Sequence, residues 1–448
     1  MKTRKMRRVK ARFQWDQLKV SFWFAPVVMS VVAILLAWLL YWIDGLIPNE
    51  TLQESHLILT GTPGELRTML VGMAGTVLAT AGVVFTLLTL PLSTVAAQYG
   101  SRLLRVFLGD RTTQLVLGTF VATFVYCLAA AISIPPASVD PNGPQVTVTV
   151  GLVLMLASFS SLIVLVQHIS TMLQAPNIAA AAGAELRDVV LAEMPEQVKG
   201  GVVSEANSKF LPDSLVEKDG YPIRVRQAGY IQYIDPQYIL TLAQEHDLVI
   251  RLLRKPGHNV GSEARVALVW PANRVSNELD QQIRNAFRVG NGRTPTQDVA
   301  YAVNQLVEMA VRAMSPAIND PFTAMTCLDH IGEGLILFIQ QGERSPYYYD
   351  GANQLRLILE PVAFTELLSG AFDMLRHASY DNANVLLHML EVIEAIGQKS
   401  NSPKERQELL RHARLIQVES QAGALIEQDR ERISQRCTEL TEQLRSEH

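Results

Sequence analysis

The stretch from Thr68 to Ser101 contains no Asp, Glu, Lys, Arg or His. That run exceeds what the core helix of a soluble domain carries. A bilayer core is spanned by roughly 20 apolar residues, so this stretch predicts a membrane crossing with a tail to spare. The crossing is expected to end near Leu90-Pro91. Small and hydroxylic residues interrupt it: Gly72, Gly75, Thr76, Ala79, Thr80, Gly82, Thr86 and Thr89. Such residues suit close helix contact or a polar lumen better than lipid. What they face is therefore the central question for this chain.

The remaining charge-free runs predict three further spans. Together the four cover about 22–43, 69–90, 113–134 and 146–167. The N-terminal segment 1–19 is basic, with seven Lys and Arg before residue 13. The apolar run after it is too long for a signal-peptide core and ends in Trp38, Tyr41, Trp42 and Asp44, with no small-residue cleavage site. It reads as a retained first span. The connection between the first two spans holds Asp44, Glu50, Glu54 and Glu65 against Arg67, and the third connection holds only Asp140. The second holds Arg102, Arg105 and Arg111 against Asp110. The positive-inside rule then puts both termini in the cytoplasm.

All charge-free runs precede Glu185, so the transmembrane domain is expected over 20–184 and a connector over 185–220. Residues 221–272 read as a small β-rich domain. Ile223 and Val225 alternate with Arg224 and Arg226, GYIQYID follows, and Asp235-Pro236 predicts the start of a short helix. From Asn273 to 448 only helices are expected, among them Arg274–Arg288 and one capped by the Thr294/Gln297 pair. Asp320-Pro321 predicts another helix start. Ile426, Ile433, Cys437, Leu440 and Leu444 recur at helical spacing in a charged terminal helix. The expected fold is thus an α-helical membrane protein with four transmembrane helices and a cytoplasmic α+β region.

The segments LPLSTVAAQYGSRLLRVFLGDRTTQLVLGTF, GYIQYID and SPAINDPFTA resemble those of a family of predicted multi-pass bacterial membrane proteins of unknown function. The resemblance covers most of the chain. It implies a bacterial-type inner membrane and carries no catalytic residues with it.

The motifs bound the chemistry. No nucleophile elbow, P-loop, HExxH or GxGxxG stands at a usable position, and the chain is read as non-enzymatic, without cofactor. Cys127, Cys327 and Cys437 are scattered, and Cys327 with His330 lacks a completing cluster, so no metal site is indicated. The net charge of −4 gives no case for nucleic acid. Arg102, Arg105 and His168 could form a cytoplasmic pore mouth, although snorkelling arginines and an interfacial histidine are the simpler reading. Asn319 and Asp320 could offer oxygen ligands to a cation, although a turn and helix cap account for both. None of the four cores carries Asp, Glu, Lys or Arg, which argues against a proton relay. Four spans are too few to enclose a pathway alone. The sharpest expectation is a homo-oligomeric channel in contact with membrane lipids and ions, with the second span at its axis. The alternative is a non-conducting membrane-anchored scaffold or sensor.

Overall fold

The computed structural model describes residues 23–46, 58–98, 110–134, 144–192, 219–342 and 345–446. They form two compact units, divided between Ile178 and Ala179. In the first unit, α1 (Phe24–Asp44), α2 (Pro63–Gln98), α3 (Arg111–Ser133) and α4 (Gln145–Met172) follow the four charge-free runs. The second of these departs from expectation. It does not stop at Pro91 but runs on to Gln98. Its 36 residues span roughly 54 Å, well beyond a hydrocarbon core of about 30 Å.

Helix α3 is the hub of this unit. It packs against α1, α2 and α4 and buries Val116, Phe120, Tyr126, Cys127, Ala130 and Ala131. Close approach is built from small residues. A Cβ on Gly118 would sit 2.5 Å from the Met29 sulfur of α1, and one on Gly151 would sit 3.1 Å from Leu70. A buried polar pair between helices, Thr123 with Ser158 at 3.0 Å, is mutually satisfied.

The chain breaks at Leu173–Gln174 and restarts as α5 (Ala175–Ala192), with Pro176 in its first turn where no amide is needed. The charge-free runs predict a membrane domain up to residue 184 and a connector from 185. From Ala179 onward α5 instead belongs to the second unit, because Leu186 seats on Gly334 and Gly183 on His330.

The second unit begins with β1 (Tyr221–Arg224), β2 (Gly229–Ile234), α6 (Pro236–Glu245), β3 (Val249–Leu252), β4 (Asn259–Val260) and β5 (Arg265–Trp270). It continues with α7 (Asn277–Arg284), β6 (Phe287–Gly290), α8 (Val299–Ala313), α9 (Pro321–Gln340), β7 (Tyr347–Tyr349) and β8 (Leu355–Ile358). Helices α10 (Phe364–Ala378), α11 (Ala383–Gly397), α12 (Pro403–Ala422) and α13 (Glu427–Ser446) complete it. Two sheets form, in orders β1-β5-β3-β8-β7 and β4-β2-β6, with β3 and β8 parallel and the other pairs antiparallel. Ile223, Ile231, Ile239, Ile250, Val266 and Leu357 share their apolar core.

Three expectations fail here. Residues beyond 273 are not all helical, since β6, β7 and β8 complete the sheets begun before that point. The helix expected over 274–288 is only Asn277–Arg284, because Phe287 pairs with Ile234. Thr294 caps nothing. Gln297 instead bonds both the amide and the carbonyl of Ile234, at 2.8 and 3.0 Å, and Asp298 becomes the cap of α8. The predicted starts at Asp235-Pro236 and Asp320-Pro321 are in place. In the terminal helix Ile433, Cys437, Leu440 and Leu444 are buried while Ile426 is exposed.

Candidate functional site

Helix α2 has two unlike faces. Leu66, Leu70, Met73, Ala74, Val77, Val84 and Leu88 are buried against α3 and α4. At 100° per residue, Gly64, Thr68, Gly72, Gly75, Ala79, Gly82, Thr86 and Thr89 fall within a sector of roughly 100° on the opposite side. All eight are exposed. A Cβ on Gly72, Gly75 or Gly82 would meet nothing within 4 Å. Thr76 lies just outside this stripe, and Thr80, further round and half-buried, lies beside the buried face. The small residues therefore do not serve packing inside the unit. The larger side chains do.

The stripe is electrically quiet, and its residues are small except Val71, which falls at the angle of Thr89. Thr76 donates to the Gly72 carbonyl at 2.9 Å, Thr80 to Thr76 at 2.9 Å, Thr86 to Gly82 at 3.0 Å and Thr89 to Thr86 at 3.0 Å. Each hydroxyl is satisfied by its own helix, so the face can rest in a dry contact without an orphaned polar group.

Polar residues gather at the two helix ends of the bundle. At one, the Asp110 carboxylate accepts the Thr113 amide at 2.7 Å as the cap of α3, and its Oδ2 lies 3.0 Å from His168 Nε2 of α4. His168 is thus tied within the bundle. Arg102 and Arg105, the other members of the expected mouth, lie outside the described residues. At the opposite end, Asp44 closes α4 from the last turn of α1. It accepts the amides of Val146 and Thr147, each at 2.8 Å, and the Thr147 hydroxyl at 2.6 Å. Tyr126 donates to the Thr147 carbonyl at 2.8 Å, and Arg67 donates to the Ala131 carbonyl at 3.0 Å. Sequence reasoning missed this clasp. Its one signal was an acid two residues after the Tyr41-Trp42 pair. Asp44→Ala is expected to cost about 2 kcal/mol, the loss of a charged cap and its dipole interaction. Thermal unfolding in detergent should show a lowered midpoint, with Asp44→Asn intermediate. An unchanged midpoint for Asp44→Ala would rule the clasp out as a stabilising element.

Asn319 and Asp320 serve the turn and the cap of α9. Asn319 takes a left-handed backbone (φ 49°), and Asp320 uses Oδ1 for the Thr323 amide and Oδ2 for the Thr323 hydroxyl. His330 lies near Glu333, at 3.3 Å. Among the described residues no three His, Cys, Asp or Glu side chains converge as metal ligands, and all three cysteines are free and buried.

Among the described residues, five helices are long and apolar enough to cross a membrane: α1, α2 as far as Thr89, α3, α4 and α9. Uncharacterised proteins from Mycobacterium bovis and Mycobacterium tuberculosis are each 26% identical to this chain over 395 residues, covering 86% of it and 74% of the relative. No solved structure matches the chain. The model of one family, described as predicted membrane protein (DUF2254), matches residues 19–395, and the chain belongs to that family.

Proposed function

We propose that this chain is a homo-oligomeric, non-enzymatic channel of the bacterial inner membrane, with α2 of each copy at a shared axis. The supporting observation is the exposed stripe of small residues on α2, opposite its buried face. Lipid gives no reason to keep eight small residues on a face whose one large described side chain is Val71, whereas helix-to-helix contact between copies does. Four helices cross in this reading, α1 to α4, with both termini cytoplasmic by the positive-inside rule. Helix α9 stays out of the bilayer. It carries Asp329, His330 and Glu333, and it buries Cys327, Leu328, Ile331 and Leu335 inside the second unit. Hydroxyl and backbone groups line the pathway, lipids surround it, and the cytoplasmic unit assembles and gates it.

A second reading is favoured by the threonines. Their hydroxyls are already bonded to their own helix, which suits a dry seam and hence a non-conducting scaffold or sensor. One experiment separates the two. The protein is reconstituted in liposomes for ion flux, and its mass is measured in detergent. Channel function predicts flux and an oligomer. Gly75→Leu with Gly82→Leu should return the particle to monomer and abolish flux. Thr76→Leu, just outside the stripe, should alter flux while leaving the mass unchanged. A silent particle overturns the channel and leaves the non-conducting scaffold or sensor, assembled through the stripe if it is an oligomer and not through it if it is a monomer.

A further inference from the structure

We propose that α12 and α13 together form a self-complementary surface on which two copies of this chain dock, the basic outer face of α12 in one copy on the acidic outer face of α13 in the other. The two helices lie side by side and antiparallel. Cys437 donates to the Ala413 carbonyl at 3.3 Å, Gln417 to Ser434 at 3.3 Å, and Arg430 to the Gly423 carbonyl at 3.0 Å. Helix α11 packs beneath both, so the faces turned away from it lie on one side of the pair. The exposed ionisable residues of α12 are Lys404, Arg411 and Arg414, all cationic. On α13, Glu431, Glu439 and Glu442 share an outward sector of roughly 80° with Gln435, and the two exposed arginines, Arg432 and Arg445, flank it. A groove of about 580 Å³ runs along the outer side of α12, lined by Arg406, Leu410, Arg414, Leu415 and Val418 among others. Val418 is 68% exposed there.

Symmetry and charge together name a second copy as the occupant. A two-fold axis parallel to the helices keeps each residue at its own height and lays α12 of one copy over α13 of the other. Arg414 follows Ala413 and so stands at about the height of Cys437, with Glu431 and Glu442 each roughly 8 Å away along the axis, one on either side. Arg411 comes level with Leu440, between Glu439 and Glu442. The cations of each copy therefore meet acids of the other, and the rotation makes every contact twice. Like charges stay apart, because α12 never faces α12. Two helices of 20 residues present roughly 30 Å by 20 Å, or about 600 Å² per copy, which is less than the roughly 800 Å² of a stable complex. The contact thus forms between copies concentrated in one membrane and is lost on dilution in detergent. It depends neither on conduction nor on the α2 stripe.

Disulfide trapping in vesicles tests it. Val418 follows Gln417, which bonds Ser434, so Val418 of one copy comes over Gln435 of the other. Full-length chains carrying Val418→Cys and differently tagged chains carrying Gln435→Cys are reconstituted together and oxidised. Linkage of 418 to 435 should exceed both 418 to 418 and 435 to 435 several-fold. Lys404→Glu with Arg414→Glu should cut that yield several-fold, and adding Glu431→Arg with Glu442→Arg to the same chain should restore it. Restoration also shows that the reversals did not act by unfolding. The same link should persist in Gly75→Leu with Gly82→Leu, so this surface and the α2 seam can fail separately. No linkage between copies, or equal yields of the three pairs, overturns the proposal. Charge reversal without loss of yield, or loss without restoration, overturns it as well.

Discussion

Asp298→Ala is expected to destabilise the second unit by about 3 kcal/mol, the low end of what removing one partner of a buried ion pair costs. Asp298 is nearly buried, and it holds Arg293 through two parallel bonds of 2.8 Å, from Nε to Oδ2 and from Nη2 to Oδ1. Its Oδ1 also accepts the Tyr301 amide at 2.9 Å as the cap of α8. Truncation strips the helix of its cap and leaves a half-buried guanidinium without its carboxylate. Arg293, whose proton this bond holds more tightly than usual, retains some solvent and the face of Tyr301 at 5.4 Å, which keeps the cost from rising further. Amide exchange in the first turns of α8 should accelerate by roughly 100-fold, since each 1.4 kcal/mol is a factor of ten. Asp298→Asn keeps the cap oxygen and should lose less. If exchange in α8 is unchanged in Asp298→Ala, the pair is decorative and the argument fails.

Acid should weaken the second unit through His412. This residue of α12 is fully buried, with its ring 5.9 Å from Phe372. Its Nε2 accepts from Arg411 at 3.0 Å, and its Nδ1 lies 3.7 Å from Asp373. Burial, reinforced by Arg411 and Arg376 against the opposing pull of Asp373 and Glu408, lowers its pKa from the ordinary 6.5 to about 4. The folded value lies below the unfolded one, so the unfolded chain takes up the proton first. Stability is then full above about pH 6.5 and falls as pH drops toward 4, by about 3 kcal/mol for this group. Denaturation midpoints at several pH values between those limits check this. His412→Leu should flatten the slope across that window even if it lowers the plateau. A slope identical to that of the parent would exclude His412 as its source.

Local chemistry was legible in the sequence. Asp235-Pro236 and Asp320-Pro321 are cap and first helical residue wherever they stand, because the capping bond reaches only three residues along the chain. The long charge-free runs declared their helices for the same reason. What failed depended on distant partners. Phe287–Gly290 and Leu355–Ile358 are four-residue strands whose pattern means nothing until β2 and β3 are beside them. Thr294 and Gln297 match a capping box, but Gln297 gains more by bonding both backbone groups of Ile234. The stripe on α2 was legible as composition. Its exposure was not, because the direction α2 turns is set by Phe120, Tyr126 and Leu165 on other helices. Asp44 read as a loop acid because the amides it closes lie about a hundred residues further on.

The parallel pairing of β3 with β8 also bears on biosynthesis. Ile250 sits opposite Leu357 and Arg251 opposite Ile358, in the middle of the five-stranded sheet. On the ribosome, one side of β3 must wait for roughly a hundred more residues, or about 5–20 s at ordinary elongation rates. During that interval β3 is an edge strand, with open amides and carbonyls that template pairing with other nascent chains. A polypeptide cut at 272, where the small β-rich domain was expected to end, would keep that edge permanently and should aggregate.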